Sequence, residues 1–304
     1  MRRAALCFLL IVSVPTLHAN GFNLPSHEVE RFVIASDEAG FSYEVLLSGV
    51  PRAPDDADPR PLLVVLDGYL LGMTAIETAR LMGAVGEIES IAIAAVSPEG
   101  GFAVGNLRRL RDFSADPGRD ISEEPSFQFI KPGIDASGQT VEEAIGGSAE
   151  FRRFLANELI PAVAERTSID QTRMGILGHS AGGSFLLESL LQGDLPFRDY
   201  IVGEAGVFLM FGTEEKLLKE AKPGTAKRMY YADSSDTEHA APELVADALR
   251  ITRATGEVLA LETYVHRYPG ETHTTMIPAF IKDGLLTMYG TNKTYGDRMT
   301  EMTE

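Results

Sequence analysis

The sequence predicts an α/β fold: a mostly parallel central sheet with an antiparallel N-terminal edge and helices on both faces. Three observations carry this. Short apolar runs of strand length alternate with segments of helical period along most of the chain. Several of those runs, such as "LLVVLDG" and "SIAIAAV", are apolar throughout, as a strand buried on both faces must be. The first two strand-like segments instead flank a short turn, as a hairpin does.

In order, "VERFVIAS" and "FSYEVLLSGV" form that hairpin around residues 37–40, and "PRAPDDADPRP" is a polar loop. "LLVVLDG" is a buried strand, "TAIETARLMGAV" a helix and "SIAIAAV" a second buried strand. Residues 102–147 are rich in Gly, Pro, Asp and Ser with weak periodicity. They read as a long loop excursion over one end of the sheet, and long loops in compact domains are usually functional. "SAEFRRFLANELIPAVAER" restores a strong helical pattern, with Phe151, Leu155 and Leu159 on one face. Strands follow in "RMGILG", "DYIVGEA", "KRMYYADS" and "ALETYVHRY". Helices follow in "AGGSFLLESLLQ", "APELVADALRITRAT" and "TTMIPAFIKDGLLTMYG". No linker divides residues 20–304, which form a single domain.

Residues 1–19 have the three-part layout of a secretory signal peptide: Arg2 and Arg3, an apolar stretch from Ala4 to Val14, then Pro15 to Ala19, which ends on a small residue. The apolar stretch is too short to span a bilayer. Cleavage there implies a periplasmic or secreted protein with no stable membrane insertion. It also removes Cys7, the single cysteine, leaving no disulfide, thiol nucleophile or thiolate ligand. With Arg2 and Arg3 gone, the formal charge moves from −17 to 25 − 44 = −19. So acidic a chain argues against nucleic acid or anionic lipid as partner. The oligomeric state is open.

The stretch Gly178-His179-Ser180-Ala181-Gly182 lies between a buried strand and a helix. It fits G-x-S-x-G, the sharp strand-to-helix turn that lifts a serine hydroxyl above a sheet, as in α/β-hydrolases. A serine needs a base, usually histidine held by a carboxylate, and in this architecture the order is Ser, Asp/Glu, His. His273, in the glycine-broken loop "YPGETHTTMIP", can swing over Ser180. His266 sits inside a strand pattern, and His239 comes too early. The acid is sought after "KRMYYA", where Asp236 is favoured over Glu238 and Asp233. Two backbone N–H groups must meet the developing oxyanion. Ala181 supplies one, and Tyr69, after the permissive Gly68, supplies the other.

Together "LLVVLDGYL", "LRRLRDFSADP", "GGSAEFRRFLANELIPAV", "MGILGHSAGG" and "YPGETHTTMIPAFIKDGLLTMYG" resemble the Putative esterase family of α/β-hydrolases, over about residues 28–290. That family includes siderophore esterases, S-formylglutathione hydrolases and mycolyltransferases. The resemblance implies an oxyanion donor at Tyr69, the nucleophile at Ser180 and the base at His273. The chain departs from it in "GEAGVFLM", which places Glu204 where a Ser-Pro-Ser-aromatic stretch is common, and in having no tryptophan. Arg108 and Arg111 either meet an anionic substrate group or make structural pairs with carboxylates.

No H-E-x-x-H, P-loop or strand-following G-x-G-x-x-G is present, so neither metal nor cofactor is expected. The expected function is an exported serine hydrolase cleaving small-molecule carboxylic esters through an acyl-enzyme. An acyltransferase on the same triad and a non-catalytic binding protein of this fold are the alternatives.

Overall fold

A computed structural model describes residues 29–49, 58–234 and 242–291. Residues 1–19, expected to be a signal peptide, and Asp236, Glu238 and His239 therefore lie outside the described residues.

Eight strands form one sheet: β1 (Glu30–Ser36), β2 (Phe41–Gly49), β3 (Arg60–Val65), β4 (Ala92–Pro98), β5 (Ile169–His179), β6 (Asp199–Gly203), β7 (Arg228–Ser234) and β8 (Glu262–Tyr268). Their spatial order is β1-β2-β4-β3-β5-β6-β7-β8. The hairpin β1–β2 and the β2–β4 pair are antiparallel. From β4 onward every pairing is parallel. This is the expected mostly parallel sheet with an antiparallel N-terminal edge.

Successive residues of a strand point to opposite faces, and the central strands feed two cores. Leu62, Val64, Ile176, Tyr200, Val202, Met229 and Tyr231 enter one core. Their neighbours Leu63, Val65, Leu177, Ile201, Tyr230 and Ala232 enter the other. The second core is closed by α1 (Met73–Ala84) and the C-terminal helix Ile277–Tyr289, through Ala75, Ala79, Phe280, Ile281 and Leu285. The first is closed by the helical run 148–164, whose middle turn Leu155–Leu159 is π-helical, and by helices Ala181–Gln192 and Pro242–Val258. A strand hydrophobic on both faces is the residue-level reason these segments show no two-residue alternation.

Residues 102–147 differ from expectation. They contain three helices: α2 (Gly101–Asp112), α3 (Pro125–Ser137) and α4 (Val141–Ala144). The residues that made the segment look irregular are helix punctuation. Pro125 opens α3, Gly138 ends it in the left-handed conformation, and Thr140 and Glu143 form a reciprocal capping box on α4. Periodicity is weak because Phe102, Val104, Leu107 and Phe129 are exposed rather than turned to a core. Helices Glu214–Lys219 and Val207–Met210 (a single 3₁₀ turn) were likewise not anticipated.

The described residues include no helix long and apolar enough to cross a membrane.

Candidate active site

β5 runs into Ser180, which ends the strand with φ 60° and ψ −119° before the helix Ala181–Gln192 begins. An L-residue rarely adopts that conformation, and it persists only where its surroundings impose it. Here the Ser180 N–H donates to the Gly203 carbonyl (2.8 Å), and its own carbonyl accepts from Ser184 and Gly206 (3.1 and 3.2 Å). Two glycines make the turn possible. A Cβ on Gly178 would stand 2.8 Å from the Gly182 carbonyl, and one on Gly183 would stand 2.8 Å from the Gly203 carbonyl. Gly182 is not crowded in this way: its nearest contact would be 3.6 Å. The serine stands at the carboxyl end of the sheet's middle strands, where open parallel sheets bind ligands.

His273 lies between β8 and the C-terminal helix, 45% exposed, with Nδ1 3.3 Å from Glu204 Oε2. Glu204 follows β6 at once. It is buried, takes a positive φ of 39°, and donates its N–H to the Ala232 carbonyl (2.7 Å). Its Oε1 accepts from Ser234 Oγ at 3.2 Å. Ser180, Glu204 and His273 line one cavity of about 290 Å³. A separate cavity of about 460 Å³ beside Arg111, Arg119 and Glu142 reaches neither Ser180 nor His273.

The carboxylate facing His273 is thus one that sequence reading noted only as a departure from a family pattern. A signal was available: a charged residue closing the apolar strand "DYIVG" and followed by "AG" must find a buried partner. Of the three acids sought after β7, Asp233 is buried and accepts from Arg267 Nε at 3.0 Å. Asp236 and Glu238 fall outside the described residues. His266 is exposed on β8 and packs its ring on Tyr268.

His179, between Gly178 and Ser180, is buried under this cluster. Its ring lies 4.5 Å from that of His273, centre to centre, and crosses Gly203, where a Cβ would meet it at 2.8 Å. Burial first, and then the adjacent His273, hold its imidazole down at about 3, so it is neutral at neutral pH. Its Nε2 has no hydrogen-bond partner. His179, Glu204 and His273 are also the grouping among the described residues able to hold a metal ion, with one ligand atom each lying within 4.8 Å of the others.

Tyr69 sits in the π-helical turn Gly68–Gly72 that follows β3. Gly68 is backed against the chain of β4, where a Cβ would meet the Ala95 carbonyl carbon at 2.9 Å. The turn starts at Asp67, which is buried, has φ 51°, and accepts from Leu70 and Leu71 N–H through its carbonyl. The Asp67 carboxylate is gripped bidentately by Arg109 (2.9 and 2.8 Å), so α2 fixes this loop. Ala181 opens its helix, where N–H groups have no acceptor within the helix. Arg108 and Arg111 prove structural. Arg108 pairs with Asp112 at 2.9 Å, and Arg111 donates to the Glu142 and Ile145 carbonyls.

Comparison with known proteins agrees with this architecture. Residues 130–197 match the family model described as "Putative esterase". The ferri-bacillibactin esterase BesA of Bacillus subtilis (strain 168) is 28% identical over 189 residues, 62% of this chain and 61% of that one. The apo-salmochelin esterase of Escherichia coli O6:H1 is 44% identical over 55 residues, 18% of this chain and 17% of that one. The matched part thus spans less than two thirds of either curated relative. The crystal structure of the BES protein from Bacillus cereus superposes with a TM-score of 0.67 at 22% identity, covering 86% of this chain and 96% of that one. The chain thus shares the fold of that structure, and its segment 130–197, which contains Ser180, is similar to the Putative esterase family.

Proposed function

We propose that the protein is a serine hydrolase of carboxylic esters. The observation that carries this is Ser180, held at a strained strand-to-helix turn, sharing one cavity with a histidine whose Nδ1 faces a buried carboxylate. Ser180 Oγ attacks the ester carbonyl carbon while His273 Nε2 takes its proton. The N–H groups of Ala181 and Tyr69 receive the oxyanion. Collapse of the tetrahedral intermediate breaks the C–O bond, and the alcohol leaves with the proton from His273. Water, deprotonated by the same imidazole, then attacks the acyl-enzyme and releases the acid.

Glu204 is the carboxylate we assign to His273, holding its tautomer and stabilising the imidazolium. Asp236, the acid favoured on sequence order, stays a competitor that mutation can separate from it. The half-exposed His273 favours hydrolysis over acyl transfer, because transfer requires water to be kept from the acyl-enzyme. The leader-like residues 1–19 support export to the periplasm or beyond. The two curated relatives are named as esterases of ferri-bacillibactin and apo-salmochelin, so such an ester belongs among the test substrates beside simple ones.

The test uses a fluorophosphonate probe and p-nitrophenyl esters on the purified protein and on Ser180→Ala. Labelling and turnover in the first, with both lost in the second, are expected. A wild-type protein that takes no probe and turns over no ester refutes the assignment.

A further inference from the structure

Ser180 stands where two cavities meet. One, of about 290 Å³, holds Glu204 and His273 and is walled by Val207, Tyr231, Leu244, Val245 and Ala248. The other, of about 380 Å³, holds Ala181 and is walled in part by Asn106, Leu110, Ile130, Gly133 and Gln139. Besides Ser180 they share only Phe129 and Phe208. Those two rings meet edge to face at 5.7 Å, and Phe129 is 77% exposed, so the pair stands as a partition at the mouth.

An ester has two halves joined at the carbon that Ser180 attacks, and the chemistry assigns a direction to each. The alcohol oxygen departs only as it takes a proton from the imidazolium, so it must point at His273. Its carbon skeleton then continues into the cavity on the histidine side. The carbonyl oxygen points at the Ala181 N–H. Of the two cavities that meet at Ser180, the one not taken by the alcohol is left for the acyl half.

The linings then select the substrate. Apart from Ser180, Glu204, His273 and the phenol of Tyr231, the histidine-side cavity is lined by apolar side chains and backbone. The Ala181-side cavity is lined by the amide-bearing Asn106 and Gln139, the latter accepting from Ser137 Oγ through Oε1 (3.2 Å), while the Arg109 guanidinium there is already committed to Asp67. We propose that the protein divides its ester accordingly: an apolar, ring-sized alcohol half against Leu244, Val245 and Ala248, and a hydrogen-bonding acyl half against Asn106 and Gln139. This assignment rests on the serine-hydrolase reading above.

Three esters and two variants test it. Ethyl acetate is the small reference, 2-phenylethyl acetate enlarges the alcohol half, and ethyl hippurate enlarges the acyl half with an amide. Leu244→Trp narrows the histidine-side cavity from a position already 46% exposed. Gly133→Phe narrows the other, since no atom lies within 4 Å of where a Cβ would stand on Gly133.

Each result is read as a ratio of kcat/KM to that for ethyl acetate within the same protein, so partial misfolding cancels. In Leu244→Trp the 2-phenylethyl acetate ratio should fall at least tenfold, and the ethyl hippurate ratio should stay within threefold. Gly133→Phe should show the reverse. The crossed pattern, or two ratios that move together or not at all, overturns the division. So does a wild-type protein that takes the fluorophosphonate but hydrolyses neither enlarged ester. Absence of both labelling and turnover overturns the serine-hydrolase reading itself.

Discussion

Glu204→Gln keeps the shape of the side chain and removes its charge. What it takes from the reaction is the attraction between Glu204 and the imidazolium that forms on His273 in each transition state. At the observed 3.3 Å that attraction is about 1.3 kcal/mol in the dielectric of water, and about 5 kcal/mol at an effective dielectric of about 20. The pair lies between these limits, since the Glu204 side chain is 6% exposed and that of His273 45%. A loss near 3 kcal/mol is therefore expected, roughly a hundredfold in rate. The assay is single-turnover acylation by p-nitrophenyl acetate, with fluorophosphonate labelling to count intact sites. Asp236→Asn is measured alongside. An acylation rate within threefold of wild type for Glu204→Gln refutes the assignment. If Asp236→Asn then loses the hundredfold instead, the acid is Asp236.

Further predictions follow from neighbouring groups. Arg109→Ala leaves the Asp67 carboxylate buried without its cation; breaking such a pair costs about 3–5 kcal/mol, read as a lowered midpoint in urea. Asp67→Asn in the same background should recover part of that loss. Gly183→Ala drives a Cβ to 2.8 Å from the Gly203 carbonyl and should destabilise, whereas Gly182→Ala meets only ordinary contacts and should leave the midpoint nearly unchanged. Equal shifts for the two alanines contradict the packing described. For His179, the folded group sits at about 3 against an ordinary 6.5. The unfolded chain therefore binds the extra proton, and the stability this confers above pH 6.5 is lost as pH falls from 6.5 toward 3. The slope is at most about 1.4 kcal/mol per pH unit; in urea titrations across that window it should diminish in His179→Leu.

What could be read from the sequence was what is local along the chain. Ser180 is legible because strand, crowded turn and helix follow one another within a few residues. His273 is legible because a loop between the last strand and last helix has only one place to go. The place of Glu204 beside His273 was not, because it depends on β6 lying beside β5 and on a loop from the far end of the chain closing over both. Chain order points instead to the segment after β7, where Asp233 is already paired with Arg267 and the favoured Asp236 lies outside the described residues. Helices α2 and α3 were missed for a related reason. Leu107 and Phe129 line the cleft at Ser180 instead of a core, so the hydrophobic period that marks a helix packed on a sheet is faint there.

The backbone at Ser180 has an evolutionary implication. With φ 60° and ψ −119°, that position is one glycine adopts freely and any other residue holds only at a cost of about 1–3 kcal/mol. Replacing the serine with glycine should leave an inert protein that melts later than its parent. Screens that reward thermal endurance alone would discard this hydroxyl, so under the proposed ester chemistry activity and durability pull in opposite directions at this one position.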